Sequence, residues 1–293
     1  MNIYKYVSLL ILLILFGCTN QKHIPPYQGK TCVVLSVGGM KGLAHIGAID
    51  AIRKKGIKID YIYGNSMGSV IGGVYAHSPD RDLKSNVESI LRSYVANTEK
   101  EYESKATSGF LFGATLAFLS GGTLGWGTIL GSSLLNATSV EKFDNNRFRS
   151  VMDEKFNSSS IENLKIPFAT SYQTRTPSGF KLNTISSGNL ARAISRSANN
   201  PFIFKNTSLE YIDPGLDRFS ATPIEDAIKH FKPDNVIAIN VTGQPAVYNN
   251  YEKCKVIEIV IEVDDIEIND LNKIDQIFES YYIKGYEVVN AQL

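Results

Sequence analysis

Thr31-Cys32-Val33-Val34-Leu35-Ser36-Val37 runs straight into Gly38-Gly39-Met40-Lys41-Gly42, and one further unit along the chain stands Tyr63-Gly64-Asn65-Ser66-Met67-Gly68. The first run is continuous, apolar and β-branched, the pattern of a strand buried on both faces. Helix-spaced apolar residues follow the glycines, with Leu43, Ile46, Ile49 and Ile52 in the stretch 43–55. A glycine loop that opens a helix aims backbone N–H groups and the positive dipole end at one point, which suits an anion. Ile59 to Tyr63 reads as a second strand and Met67 to Ala76 as a small-residue helix, so Gly64-x-Ser66-x-Gly68 falls on a strand-to-helix turn. That is the setting of a nucleophile elbow, in which flanking glycines let a strained serine present its Oγ at the strand's C-terminal end. A nucleotide-phosphate cradle is the competing reading of the upstream loop. It is the weaker one, because neither a P-loop pattern nor a dinucleotide fingerprint is present.

Further blocks follow at consistent spacing: Leu190-Ala-Arg-Ala-Ile-Ser-Arg-Ser, Tyr211-Ile-Asp-Pro-Gly, Thr222-Pro-Ile-Glu-Asp-Ala and Val236-Ile-Ala-Ile-Asn-Val. With the glycine loop and the elbow, these resemble the patatin-like phospholipases over roughly residues 30–241. The resemblance implies a three-layer α/β/α fold with a mainly parallel central sheet, and hydrolysis of lipid acyl esters by a Ser-Asp dyad without cofactor. Carried onto this chain, Ser66 is the nucleophile, Asp213 the general base and Gly38, Gly39, Met40, Lys41 and Gly42 the oxyanion loop. Gly64, Gly68 and Gly215 are the motif glycines. An oxyanion donor of this kind typically contributes ~3–4 kcal/mol to transition-state stabilisation.

The chain departs from the family pattern in places. Val37 stands where the first loop glycine is usual, Lys41 where Arg is usual, and Pro214 in the middle of the dyad block. Lys keeps the charge without the planar fork, while Pro removes an N–H and pushes Asp213 towards extended geometry. If the site needs a positive φ or an amide at 214, catalysis is altered; Asp217 is then the fallback base. A non-catalytic lipid-binding lipoprotein on the same fold is the second reading. A third is a Ser-His-Asp esterase, because Ser66, Asp213 and His230 follow the α/β-hydrolase chain order. His230 also reads as a helix C-terminal residue, His77 likewise, and His45 as a packing histidine.

The N-terminus reads as an address. A short apolar run, Val7 to Phe16, precedes Leu15-Phe16-Gly17-Cys18, which resembles a bacterial lipobox; an ordinary signal or an uncleaved anchor is the alternative. The expectation is a signal peptide over 1–17, lipidation of Cys18, a tether over 18–29 and one catalytic domain over 30–293. That places the protein in a bacterial cell envelope, with the outer membrane an analogy for a Gram-negative source. Thirty Lys+Arg against 29 Asp+Glu give a net charge of +1, which offers no basis for nucleic-acid binding. Too few His and Cys fall at ligand spacing for a metal site. Cys32 and Cys254 could pair after export or remain buried thiols.

The remaining pattern alternates. Leu83, Val87, Ile90, Leu91 and Tyr94 fall at helical spacing, and Thr138-Ser139-Val140-Glu141 suggests a capped helix reaching about Phe156. Strands are expected at 166–172, 180–185, 236–241 and 256–263, and helices at 189–197, 224–231 and 270–290. Residues 106–140 carry no charge and are dense in Gly, Leu and Phe. A buried hairpin, an acyl-chain lid and a lipid-dipping surface all fit that composition.

Overall fold

The computed structural model describes residues 27–102, 143–177, 179–201, 203–205, 210–217, 219–263 and 274–293. The Cys18 anchor, the uncharged 106–140 stretch and the Thr138 capping box lie outside the described residues. In chain order the first elements are β1 (Thr31–Leu35), a 3-10 turn (Gly39–Leu43), α1 (Ala44–Lys54), β2 (Tyr61–Gly64), α2 (Met67–His77) and α3 (Leu83–Tyr102). Then come β3 (Phe143–Asp144), α4 (Asn145–Lys155), β4 (Phe168–Thr176), β5 (Gly179–Ile185), α5 (Leu190–Ser197) and β6 (Phe204–Lys205). The last are α6 (Ile224–Phe231), β7 (Asn235–Asn240), β8 (Lys255–Val260) and α7 (Ile274–Gln292).

The main sheet has six strands in the order β5-β4-β2-β1-β7-β8, parallel throughout except for β5 against β4. All five residues of β1 are buried, as a central strand of a doubly covered sheet requires. Its side chains divide by the two-residue period: Val33 and Leu35 join one apolar cluster, Cys32 and Val34 the other. The larger cluster includes Ile46, Val70, Val87, Phe148, Ile194 and Phe278, from α1, α2, α3, α4, α5 and α7. The smaller is closed by Ile224, Ala227 and Ile228 of α6. Helices thus cover both sides of a mainly parallel sheet, the expected architecture.

From β1 the chain goes first to β2 on one side and later to β7 on the other, so the strand order reverses at β1. Crevices of open α/β sheets form at such a reversal, beyond the strand C-termini. The loop after β1 and the turn after β2 both lie there. The edge hairpin was not distinguished in the sequence from a parallel pair. Its outer strand β5 is mostly exposed and carries Lys181, a usual defence of a sheet edge.

The helix that ends at Lys155 starts at Asn145, directly after β3. Asp144 ends β3 and caps the helix, its Oδ1 accepting from the N–H groups of Asn146 and Arg147. β3 pairs with β6 in a separate two-stranded sheet. Cys32 and Cys254 are free and buried. Cys32 pairs with Val236 of β7, and β7 separates β1 from β8, the strand that Cys254 precedes. Two strand spacings are about 9–10 Å, beyond the Cα separation that a disulfide allows. Among the described residues no helix is long and apolar enough to cross a membrane.

Candidate active site

Ser66 joins β2 to α2 at φ 52 and ψ −122, a positive φ that non-glycine residues rarely adopt. Such strain costs on the order of 1–3 kcal/mol and persists only where the surroundings over-determine it. Here they do. The Ser66 N–H donates to Ser197 Oγ (3.0 Å), and the Ser66 carbonyl accepts from Ser69 Oγ (2.6 Å) and from the amides of Ser69 and Val70. Asn65 beside it is fully buried. Its Nδ2 donates to the Ser220 carbonyl (2.9 Å), and its Oδ1 accepts from Ser171 N (3.1 Å) and Ser171 Oγ (2.8 Å). Gly68 lies against the end of β1: a Cβ there would sit 2.5 Å from the carbonyl oxygens of both Leu35 and Ser36. Only glycine lets α2 start this close to the strand.

The upstream loop is the 3-10 turn Gly39–Leu43, entered through Gly39 at φ 51 and continuing into α1. Gly42 packs on Met67, where a Cβ would come within 2.5 Å of the Met67 Cγ. The loop that carries Gly38, Gly39, Met40, Lys41 and Gly42 is thereby set against the residue after Ser66. Val37 does not take part in it as a donor. Its amide donates to the Ala221 carbonyl (2.9 Å), and its side chain packs over Gly215. Val37 and the Pro214 block, two departures from the family pattern, therefore meet in space.

Asp213 arrives from the far end of the chain. Ile212 forms an isolated antiparallel bridge with Gln173 of β4, exchanging both amide hydrogen bonds at 2.7 and 2.8 Å. That pins the following residue beside the elbow. Asp213 has φ −56 and ψ 126, the extended geometry a following proline imposes. Its Oδ1 accepts from the Gly215 N–H (2.7 Å), so the amide used is at 215 and not the one Pro214 lacks. Its Oδ2 accepts a hydrogen bond from Ser66 Oγ at 2.6 Å. Asp213 is 2% exposed, and burial lifts its carboxyl from the usual 3.8 to about 6 against the lowering pull of the Ser66 and Gly215 hydrogen bonds.

The other nominated residues lie elsewhere. Asp217 accepts from Ser220 Oγ (3.0 Å), the Phe219 amide (3.2 Å) and Gln173 Nε2 (3.4 Å), a buttress beside the site. The His230 ring lies edge-on to Tyr63 and Phe231 near the end of α6, and Lys232 closes that helix in left-handed geometry. No imidazole is interposed in the 2.6 Å between Ser66 and Asp213. His45 is fully buried, with Nε2–H donating to the Ser36 carbonyl (3.0 Å), and burial lowers it to about 4. His77 ties to Ser78 and Ser159. Among the described residues no cluster of three or more His, Cys, Asp or Glu could hold a metal ion. Sequence reasoning missed Asn65, Ser171, Ser197 and the bridge at Gln173. Only Asn65 and Ser197 lay inside quoted blocks, and nothing in the pattern marked their roles.

The family description Patatin-like phospholipase matches residues 33–228. Among curated proteins, a patatin-like phospholipase domain-containing protein of Caenorhabditis elegans is 50% identical over 48 residues, 16% of this chain and 4% of that protein. Lysophospholipase NTE1 of Saccharomyces cerevisiae is 48% identical over 48 residues, 16% of this chain and 3% of that protein. The chain thus matches only a small part of the length of these relatives. Among solved structures, the type III effector protein ExoU aligns over 91% of this chain and 52% of its own at 12% identity, with a TM-score of 0.44. VipD from Legionella pneumophila aligns over 90% and 67% at 14% identity, with a TM-score of 0.35. Those scores add nothing to the strand order above; the sequence match from β1 through the elbow and Asp213 into α6 does, and by it the chain belongs to the patatin-like phospholipase family.

Proposed function

We propose that this protein is a serine acyl hydrolase of lipid esters working through a Ser66-Asp213 dyad. The observation that carries the reading is the direct Ser66 Oγ to Asp213 Oδ2 hydrogen bond of 2.6 Å at a strained elbow. Asp213 takes the hydroxyl proton as Ser66 Oγ bonds to the ester carbonyl carbon. The negative charge on the carbonyl oxygen is met by backbone N–H groups of the Gly38 to Gly42 loop. Collapse of the tetrahedral species breaks the ester C–O bond, and the leaving alkoxide takes the proton from Asp213. Water then attacks the acyl-serine while Asp213 accepts its proton, the fatty acid leaves and the Ser66 hydroxyl is restored. A carboxyl at about 6 is ionised at neutral pH yet more basic than an ordinary aspartate, which suits this double duty.

A fluorophosphonate probe tests the reading directly. Labelling of the full chain that disappears in Ser66→Ala is the expected result. No labelling, together with no ester hydrolysis, would turn the assignment to the non-catalytic lipid-binding alternative.

The same proposal includes membrane tethering through a lipidated Cys18, which would hold the enzyme at its substrate. Cys18→Ser should abolish metabolic palmitate labelling and leave the precursor unprocessed, because the thiol is both the attachment atom and the processing mark. Unchanged labelling and mature size would reject the lipobox.

A further inference from the structure

A cavity of about 300 Å³ lies where α4 packs on α5. Arg149 enters it from α4, and Arg192 and Arg196 enter it from α5. Arg192 and Arg196 are four apart on one helix, so like charges face one another there, an arrangement that destabilises an isolated helix. Among the described residues no carboxylate forms an ion pair with any of the three. Arg196 is nonetheless fixed in place. The Arg196 guanidinium lies 4.1 Å from the Tyr211 ring centroid and donates to Tyr211 Oη at 3.1 Å. Asn145 Nδ2 donates to the Ser195 carbonyl (3.1 Å) and to Asn199 Oδ1 (2.5 Å), locking α4 to α5.

The walls of this cavity also position the dyad. Asn199 accepts from the Asp213 amide through its carbonyl (3.3 Å) and donates from Nδ2 to the Tyr211 carbonyl (2.5 Å), two residues before Asp213. Ser197, next to Arg196, holds the Ser66 amide. Guanidinium forks match phosphate oxygens, and an arginine already held in place, as Arg196 is, loses less entropy when one binds. We propose that Arg149, Arg192 and Arg196 form an anion subsite that takes the phosphate of a phospholipid or lysophospholipid head group while Ser66 takes the same molecule's acyl ester. The assignment of a phosphate-bearing substrate rests on the hydrolase reading above; the anion site itself does not.

The test uses the full chain, with palmitoyl-lysophosphatidylcholine and monopalmitoylglycerol as substrates in the same detergent micelles. The Arg192→Ala/Arg196→Ala double variant should lower the ratio of kcat/KM, phosphate ester over neutral ester, by about tenfold or more, the scale of lost charge-assisted hydrogen bonds. Arg196→Lys alone should recover part of the ratio, since it keeps the charge without the fork. A ratio that holds within about twofold, with equal loss on both esters or none, would overturn the proposal. A binding arm, read by titration of Ser66→Ala, needs no turnover. Glycerophosphate should bind and weaken about tenfold in the arginine variant. Inorganic phosphate bound more tightly than glycerophosphate would instead mark a free-phosphate site and reject the head-group assignment. If the wild-type chain hydrolyses neither ester, the hydrolase reading fails, and the anion subsite stands or falls on the binding arm.

Discussion

Ser66→Ala and Asp213→Asn should each lower kcat on an acyl ester by about 10³-fold or more, the scale seen when one member of a nucleophile-base unit is lost. Neither change has a reason to unfold the protein. Alanine keeps the Cβ at position 66, and the amide that donates to Ser197 Oγ is untouched. Asparagine is nearly isosteric with aspartate, and its carbonyl oxygen can still accept from the Gly215 N–H. What it cannot do is take a proton from Ser66 Oγ. The double variant should be no slower than the worse single one, because in the proposed dyad both residues act in the same proton transfer. His230→Ala should stay within about twofold, since its ring packs on Tyr63 and Phe231 and not in the 2.6 Å between Ser66 and Asp213. A loss of orders of magnitude at His230, with Asp213→Asn active, would replace the dyad with a triad. Circular dichroism and melting curves on each variant separate chemistry from folding.

The parts of this site that were legible are those written in consecutive residues. The buried run Thr31–Leu35, the glycine turn, α1, β2 and the elbow form one β-α-β-α stretch whose periods and glycines are local signals. Asp213 is different. It lies 147 residues from Ser66, and no spacing rule joins the two; a family resemblance did. Its placement depends on the Gln173 and Ile212 bridge, a tertiary contact of two residues with no period to read. The polar bed under Asn65 was equally silent, because a buried serine and a surface serine look alike in a sequence. β3 and β6, two residues each, are too short for any alternation to register. Asp144 caps α4, a start that the sequence does not single out, since several Ser, Thr and Asp residues in that stretch could each begin a helix. The arginine cavity, too, exists only once α4 and α5 are side by side.

As the base of the proposed dyad, Asp213 should set opposite slopes of activity and stability with pH. In the folded chain its carboxyl is raised from the usual 3.8 to about 6, because burial disfavours the charged form more than the Ser66 and Gly215 hydrogen bonds favour it. A raised carboxyl means that the folded state binds the proton more tightly than the unfolded chain does. Its contribution to stability is therefore fully present below about 3.8, and is lost as pH rises through about 6. A change of that size corresponds to roughly 3 kcal/mol by neutral pH. Catalysis runs the other way: the base must be ionised, so kcat should climb about tenfold per pH unit below 6 and level off above it. Asp213→Asn removes the titration. Going from about pH 4 to about pH 7.5, the variant should gain roughly 2–3 kcal/mol of unfolding free energy relative to wild type, measured by urea titration at each pH. Parallel stability curves for the two proteins, or a kcat that is flat from pH 5 to 7, would mean that this carboxylate is solvated like any other and is not the base. If the slopes do cross as expected, the group that makes the serine reactive is also one that weakens the fold at working pH, and the Asn65, Ser171 and Ser197 hydrogen bonds around the elbow are what offset it.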